Sequence, residues 1–212
     1  MENNIHINYP VSLRETPLQN LMGIFCPSPF FFLFFGFWLL PLCLFAQSSP
    51  IVILHTNDTH SHLEAYDEPD IGDVGGIVRR NTLIQETRKQ YPNTIVVDAG
   101  DFSQGTPYFN LFKGTPEIIL MNKMGYDVVA LGNHEFDNGS KALGKRLKLA
   151  DFKVVCANYQ FKNKQLAKLV KPYTLIHING KKIGFFGLLC NMKRIVMPNY
   201  FKEFRVRNTH MV

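Results

Sequence analysis

The sequence predicts an α/β layered domain with a largely parallel sheet. Three observations predict it. Short apolar runs rich in Val and Ile recur, amphipathic helical stretches alternate with them, and the apolar runs end in loops dense with polar residues. The 212 residues, 46% hydrophobic and 19% charged, are enough for one domain with a sizeable core.

The first distinctive segment is PFFFLFFGFWLLPLCLFA (29–46), which carries no charge and is interrupted by Gly36 and Pro41. It is just long enough to span a bilayer, and it ends in LFAQSS, where small Ala46 suits signal cleavage. Met22 offers an alternative start that gives a more compact leader. Three roles are open: a cleaved signal peptide, an uncleaved anchor, or a lipoprotein signal using Cys43. All three place the chain from Gln47 onward outside the cytoplasm, in the periplasm or cell envelope. The expected division is therefore an N-terminal extension and leader at 1–46 and a folded domain at 47–212.

Beyond the leader, IVILHT (51–56) reads as a strand and 75–90 as a helix with Ile77, Leu83 and Ile84 on its apolar face. TIVVDAG (94–100) is a second strand. TPEIILMNKM (115–124) is a helix, with Pro116 in its first turn and Gly125 stopping it. DVVALGN (127–133) is a third strand, 140–151 a helix and KVVCAN (153–158) a fourth strand. YTLIHINGKKIGFFGLL (173–189) reads as two strands joined at Asn179-Gly180, a hairpin turn pair.

Charge is uneven. Residues 1–139 hold 7 basic and 15 acidic side chains, whereas 140–212 hold 16 and 2, giving a net charge of +6. The lysines are scattered and lack interleaved aromatics, so a solvated surface is expected and not a nucleic-acid site. Cys156 and Cys190 lie in apolar runs and are expected as buried thiols instead of a bridge.

In a parallel sheet, loops at the carboxyl ends of the strands gather along one edge. The first strand delivers Asp58 and His60, the second Asp101, and the third Asn133, His134, Glu135 and Asp137. Carboxylate and imidazole donors converging there suit divalent zinc, manganese or iron, and one Asp can bridge two ions. Two such ions clamp a phosphate and lower the pKa of a bound water. Among neighbouring residues, His55 is expected to be structural. His62 is either a donor behind the ligands or a turn cap, and Glu135 is expected to pair with a cation. Gly100 and Gly132 are expected to permit close backbone approach, and Gly75-Gly76 tight packing at a helix start.

HTNDTHSHLE, DAGDFSQGTPYF and ALGNHEFDNG closely resemble the three N-terminal motifs of the calcineurin-like metallophosphoesterases, and more narrowly their exported 5′-nucleotidase branch. The resemblance spans Ile51 to Leu189. It implies a four-layer α-β-β-α sandwich, incomplete here, and a centre of two divalent metal ions. It implies that Asp58 and His60 ligate the first ion, that Asp101 bridges both and that Asn133 ligates the second. His134 would stabilise the transition state or protonate the leaving oxygen, and Asp137 would orient it. The implied activity is phosphomonoester hydrolysis on nucleotides. The alternatives are a cyclic-nucleotide or nucleotide-sugar phosphodiesterase of the same family, or a non-catalytic fragment or split subunit.

The family's further G-H and G-H-x-H motifs and its nucleoside-binding domain have no counterpart in these residues; His177 and His210 do not match. The chain is thus expected to be a truncated domain, weak or inactive alone, with a separately encoded C-terminal half as a candidate partner.

Overall fold

The computed structural model of the protein describes residues 49–207. The leader and its three roles, the boundary after residue 46, Cys26, Cys43 and His210 lie outside the described residues. The chain runs β1 (Val52–Thr56), β2 (Ala65–Glu68), β3 (Gly72–Gly75), α1 (Ile77–Gln90), β4 (Thr94–Asp98), α2 (Pro107–Phe112), α3 (Thr115–Met124) and β5 (Val128–Ala130). It continues through α4 (Gly139–Arg146), β6 (Lys153–Val155), β7 (Tyr159–Phe161), α5 (Lys164–Leu169), β8 (Val170–Lys171), β9 (Tyr173–Ile178), β10 (Lys181–Phe186), α6 (Pro198–Phe201) and β11 (Phe204–Val206).

The Val- and Ile-rich runs become strands because branched side chains pack well on a pleated, doubly covered surface. Five of them form one parallel sheet in the order β1-β4-β5-β6-β8. Ile53 pairs with Ile95, Val97 with Val128 and Val129 with Val154. The order steps one way across the sheet, so right-handed crossovers lay the intervening helices over one face. On that face Val96, Val129 and Val154 pack with Ile84, Ile118, Met121, Leu143 and Leu166 in a single cluster.

The opposite face is also apolar, with Ile95, Val128 and Val155 buried. The β9–β10 hairpin packs beside β6. Its turn is left-handed at Asn179 (φ 48°) and Gly180 (φ 69°), the conformation the Asn-Gly pair predicts. One hairpin face, with Thr174, Ile176, Ile183 and Phe185, is half-buried, while the other exposes Tyr173, Leu175 and Phe186. The fold is thus mixed α/β with a parallel central sheet, as expected.

The helix predicted at 115–124 forms over Thr115–Met124 and ends at Gly125 in the left-handed conformation. The helix predicted from residue 75 starts at Ile77, because Gly75 (φ 67°) and Gly76 (φ 82°) are both left-handed. A Cβ on Gly76 would lie 2.8 Å from the Ala65 nitrogen, the tight packing expected there. Cys156 is a buried free thiol, as expected, but Cys190 is exposed. That corrects the expectation for Cys190, which follows the last apolar residue of its run and sits in the loop beyond it.

Candidate metal centre

The loops after β1 and β4 extend their strands' partnership beyond the sheet. Asp58, His60 and Ser61 donate backbone hydrogen bonds to the carbonyls of Gly100 (3.0 Å), Asp101 (3.1 Å) and Phe102 (3.0 Å). The backbone is left-handed at Asp58, His60, Ser61 and Asp101, with φ between 43° and 55°. That conformation costs L-residues about 1–2 kcal/mol each, and it persists because the surrounding bonds fix it.

The loops after β4 and β5 touch backbone to backbone. A Cβ on Gly100 would stand 2.5 Å from the Gly132 nitrogen, and one on Gly132 only 2.2 Å from Asp101 Oδ1. Both glycines therefore serve close approach, as expected. The His134 N–H uses that proximity to donate to Asp101 Oδ1 at 2.8 Å.

Onto this frame the functional side chains converge. His60, Asp101 and His134 bring one ligand atom each to within 4.8 Å of one another. Asp58 Oδ1 lies 3.7 Å from His60 Nε2. The His60 and His134 rings meet edge to face with centroids 5.1 Å apart. His134 Nδ1 is 2.9 Å from Asp137 Oδ2, which leaves Nε2 as its outward nitrogen. Asn133 Oδ1 lies 4.0 Å from the Cys190 thiol. Two imidazoles and a carboxylate, with Asp58 beside His60 and Asn133 next to His134 in the chain, form a donor set suited to borderline divalent cations.

The other described histidines stand apart. His55 is exposed on the edge strand β1 and His177 on β9. The His62 ring tilts against Tyr66, centroids 5.9 Å apart, and the backbone N–H of His62 closes a turn onto the Thr59 carbonyl (2.9 Å).

Glu135 plays a part that sequence reasoning missed. It is fully buried, and its Oε2 accepts from the backbone N–H groups of Asp101 (3.0 Å) and Gly132 (2.7 Å). Its Oε1 accepts from the Ser103 N–H (3.2 Å) and hydroxyl (3.0 Å). The expected cation pairing is corrected: Arg146 donates to the Glu135 backbone carbonyl (2.9 Å), while the carboxylate binds N–H and hydroxyl donors. Burial, with repulsion from Asp101, pushes the Glu135 carboxyl up to about 7 against those hydrogen bonds.

Asp98, at the end of β4, was also unforeseen. Burial pushes it up to about 7, although the Thr56 hydroxyl (2.6 Å) and Gly100 N–H (2.9 Å) both donate to it. For His134, burial favours the neutral ring. The hydrogen bond and charge of Asp137, then Asp101 and Glu135, outweigh it and leave the pKa raised. Burial, followed by the charge of Asp101, raises the Cys190 thiol.

A family profile described as calcineurin-like phosphoesterase matches residues 51–205. The chain belongs to that family. Calcineurin-like phosphoesterases are metal-dependent, and the cluster around Asp101 is a possible metal site. The chain is 36% identical over 192 residues to snake venom 5′-nucleotidase of Gloydius brevicauda, covering 84% of this chain and 32% of that one. It is 39% identical over 159 residues to rat 5′-nucleotidase, covering 70% and 28%. Among solved structures, the 5′-nucleotidase precursor of Thermus thermophilus aligns with TM-score 0.69 at 35% identity, over 76% of this chain and 32% of that one. The NAD nucleotidase of Haemophilus influenzae aligns with TM-score 0.66 at 33% identity, over 75% and 30%. This family member therefore spans about a third of the length of these relatives.

Proposed function

We propose that the chain is the metal-holding part of a phosphomonoester hydrolase acting on nucleotides, in the manner of the 5′-nucleotidases it resembles. The convergence of His60, Asp101 and His134 at one sheet edge carries this reading. In it, Asp58 and His60 would hold one divalent ion and Asn133 a second, with Asp101 serving both. Bound there, such ions supply charge neutralisation for a phosphate and a lowered pKa for water. His134, turned by Asp137 so that Nε2 faces outward, offers a proton to the leaving oxygen. The proton given up is the Nε2 proton of the imidazolium form, which the Asp137 carboxylate favours, and the neutral ring left behind keeps its hydrogen on Nδ1 against Asp137.

The same reading assigns residues 1–46 to export and 47–212 to the phosphoesterase domain. The uncharged run at 29–46 and the venom origin of one relative support export. It assigns no nucleic-acid partner, and membrane contact only through the leader. It also includes a complementary segment that supplies further imidazole donors. The exposed apolar face of the β9–β10 hairpin supports such a covering partner. A second reading, cleavage of a phosphodiester or pyrophosphate linkage, is favoured by the similarity to the NAD nucleotidase.

The test compares the full chain with a chimera that continues after Arg207 into the remainder of the Thermus nucleotidase precursor. Titration calorimetry with Mn²⁺ and Zn²⁺ is expected to detect binding in both. Phosphate release from nucleoside monophosphates is expected from the chimera and is lost in Asp101→Ala and His134→Ala. A folded chimera that binds neither metal overturns the reading, and hydrolysis confined to dinucleotides favours the second.

A further inference from the structure

Cys190 occupies the loop after β10, and the surrounding residues hold its backbone in place. The side chain of Asn158 grips Leu189 from both sides, donating to its carbonyl (2.6 Å) and accepting from its N–H (2.9 Å). The buried Tyr159 hydroxyl donates to the Cys190 carbonyl (3.1 Å) and accepts from the Met192 N–H (3.1 Å). Just upstream, a Cβ on Gly187 would lie 2.5 Å from the Val155 carbonyl oxygen, so the loop leaves the hairpin pressed against the end of β6. Together these contacts present an exposed thiol at the same sheet edge as the loops after β1, β4 and β5.

The thiol does not stand alone there. Its Sγ is 4.0 Å from Asn133 Oδ1, and Asp101 is close enough to act on it electrostatically. Asp101 in turn belongs to the cluster whose ligand atoms converge within 4.8 Å. A sulfur about 2.3 Å and an oxygen about 2.1 Å from one zinc ion stand roughly 3.6 Å apart at a tetrahedral angle, and about 4.0 Å when that angle opens to about 130°. The Cys190–Asn133 spacing therefore fits two donors on one ion. On this side of the cluster the neutral Asn133 amide is a weak donor, and the thiol is the soft group next to it.

We propose that Cys190 is a metal ligand, sharing with Asn133 the second cation of the centre. This rests on the metallophosphoesterase reading above. On binding, the sulfur–metal bond forms as the S–H bond breaks, and the proton leaves to solvent. A thiolate in the donor set shifts preference toward Zn²⁺, Co²⁺ and Cd²⁺ and away from Mn²⁺ and Mg²⁺.

The test uses Co²⁺ alone as the probe on the full chain, in a Cys26→Ser, Cys43→Ser background that removes the leader's thiols. Bound Co²⁺ is expected to show its visible ligand-field bands together with a near-ultraviolet sulfur-to-cobalt charge-transfer band. Cys190→Ser is expected to abolish the charge-transfer band and weaken Co²⁺ binding at least about tenfold. Asn133→Ala and Asp101→Ala are expected to weaken the same band's titration. Ligand-field bands without a charge-transfer band overturn the inference and leave the metal centre standing. A charge-transfer band that Asn133→Ala and Asp101→Ala do not weaken also overturns it, since the thiol then binds cobalt independently. Absence of any bound Co²⁺ overturns the metal centre in this chain and Cys190's place in it.

Discussion

Oε2 of Glu135 lies 3.0 Å from the backbone nitrogen of Asp101 and accepts its hydrogen bond. The same oxygen accepts from Gly132 at 2.7 Å, so one buried atom ties the loop after β4 to the loop after β5. A carboxylate is suited to this post because it accepts at both oxygens and donates at neither. Glu135→Gln places an amide N–H₂ against N–H or hydroxyl donors whichever way it turns. At least one buried backbone N–H then lacks an acceptor, since only the Ser103 hydroxyl can turn to accept from the amide, at about 1–3 kcal/mol per group. The expected outcome is a loss of roughly 1–3 kcal/mol in urea unfolding. Mn²⁺ affinity, read by calorimetry, is expected to fall more than about tenfold.

Gly132 tests the same juncture by sterics. Its backbone needs no left-handed conformation, but an added methyl would meet Asp101 Oδ1 at 2.2 Å and the Asp101 nitrogen at 2.5 Å. Gly132→Ala is expected to displace Asp101 and abolish measurable metal binding. The control is Gly180→Ala in the hairpin turn, where a Cβ meets nothing within 4 Å. There only left-handed strain is added, about 1 kcal/mol, and metal binding is expected to be unchanged. Equal effects of the two substitutions on calorimetric metal affinity would contradict the close-approach account.

Asp98 makes stability depend on pH. Its folded pKa is raised from 3.8 to about 7 by burial, so between about pH 4 and 7 the folded state keeps a proton that the unfolded chain has released. Stability from this group is therefore greatest at low pH, falls as pH rises through that window and levels off above it. The total penalty is at most about 4 kcal/mol. Asp98→Asn removes the ionisation and keeps the contacts: the amide donates to Thr56 Oγ1, whose hydroxyl turns to Tyr126 (2.8 Å). In urea melts with EDTA, the variant is expected to stay within about 1 kcal/mol of the parent near pH 4.5 and exceed it by a few kcal/mol at pH 8. A difference independent of pH would rule out an ionising Asp98.

Asp98 and Glu135 also mark where the sequence ceases to be informative. Strand ends, the loop motifs and the Thr115–Met124 helix are local features, and periodicity with turn chemistry locates them. Whether a carboxylate in a loop is solvated or sealed depends on what folds over it, and Glu135 is fully buried in a loop whose neighbour Phe136 belongs to the core cluster. The β7–β11 pairing joins Tyr159–Phe161 to Phe204–Val206, three residues each, too short for an alternation signal. The β2–β3 hairpin is built from AYDE and GDVG, which read as turn-like polar sequence. The candidate site residues Asp58, His60, Asp101, Asn133 and His134 are legible because each follows closely on an apolar strand.

The exposed hairpin face yields the last expectation. Tyr173 pairs across the hairpin with Phe186 and Leu175 with Gly184, and Tyr173, Leu175 and Phe186 are 61%, 48% and 64% exposed. Leu188 (63%) extends this apolar surface past the end of β10. Such a surface, on a hairpin that pairs with no further strand among the described residues, promotes association. Thr is β-branched and polar, so Leu175→Thr with Phe186→Thr keeps strand propensity while removing apolar area. Because both side chains are about half exposed or more, their replacement forfeits at most about 1 kcal/mol each of burial. Light scattering of the full chain is expected to drop severalfold, with the urea midpoint nearly unchanged. A large loss of stability would instead mean that the chain itself buries these residues, and the face would then be no place for a covering partner.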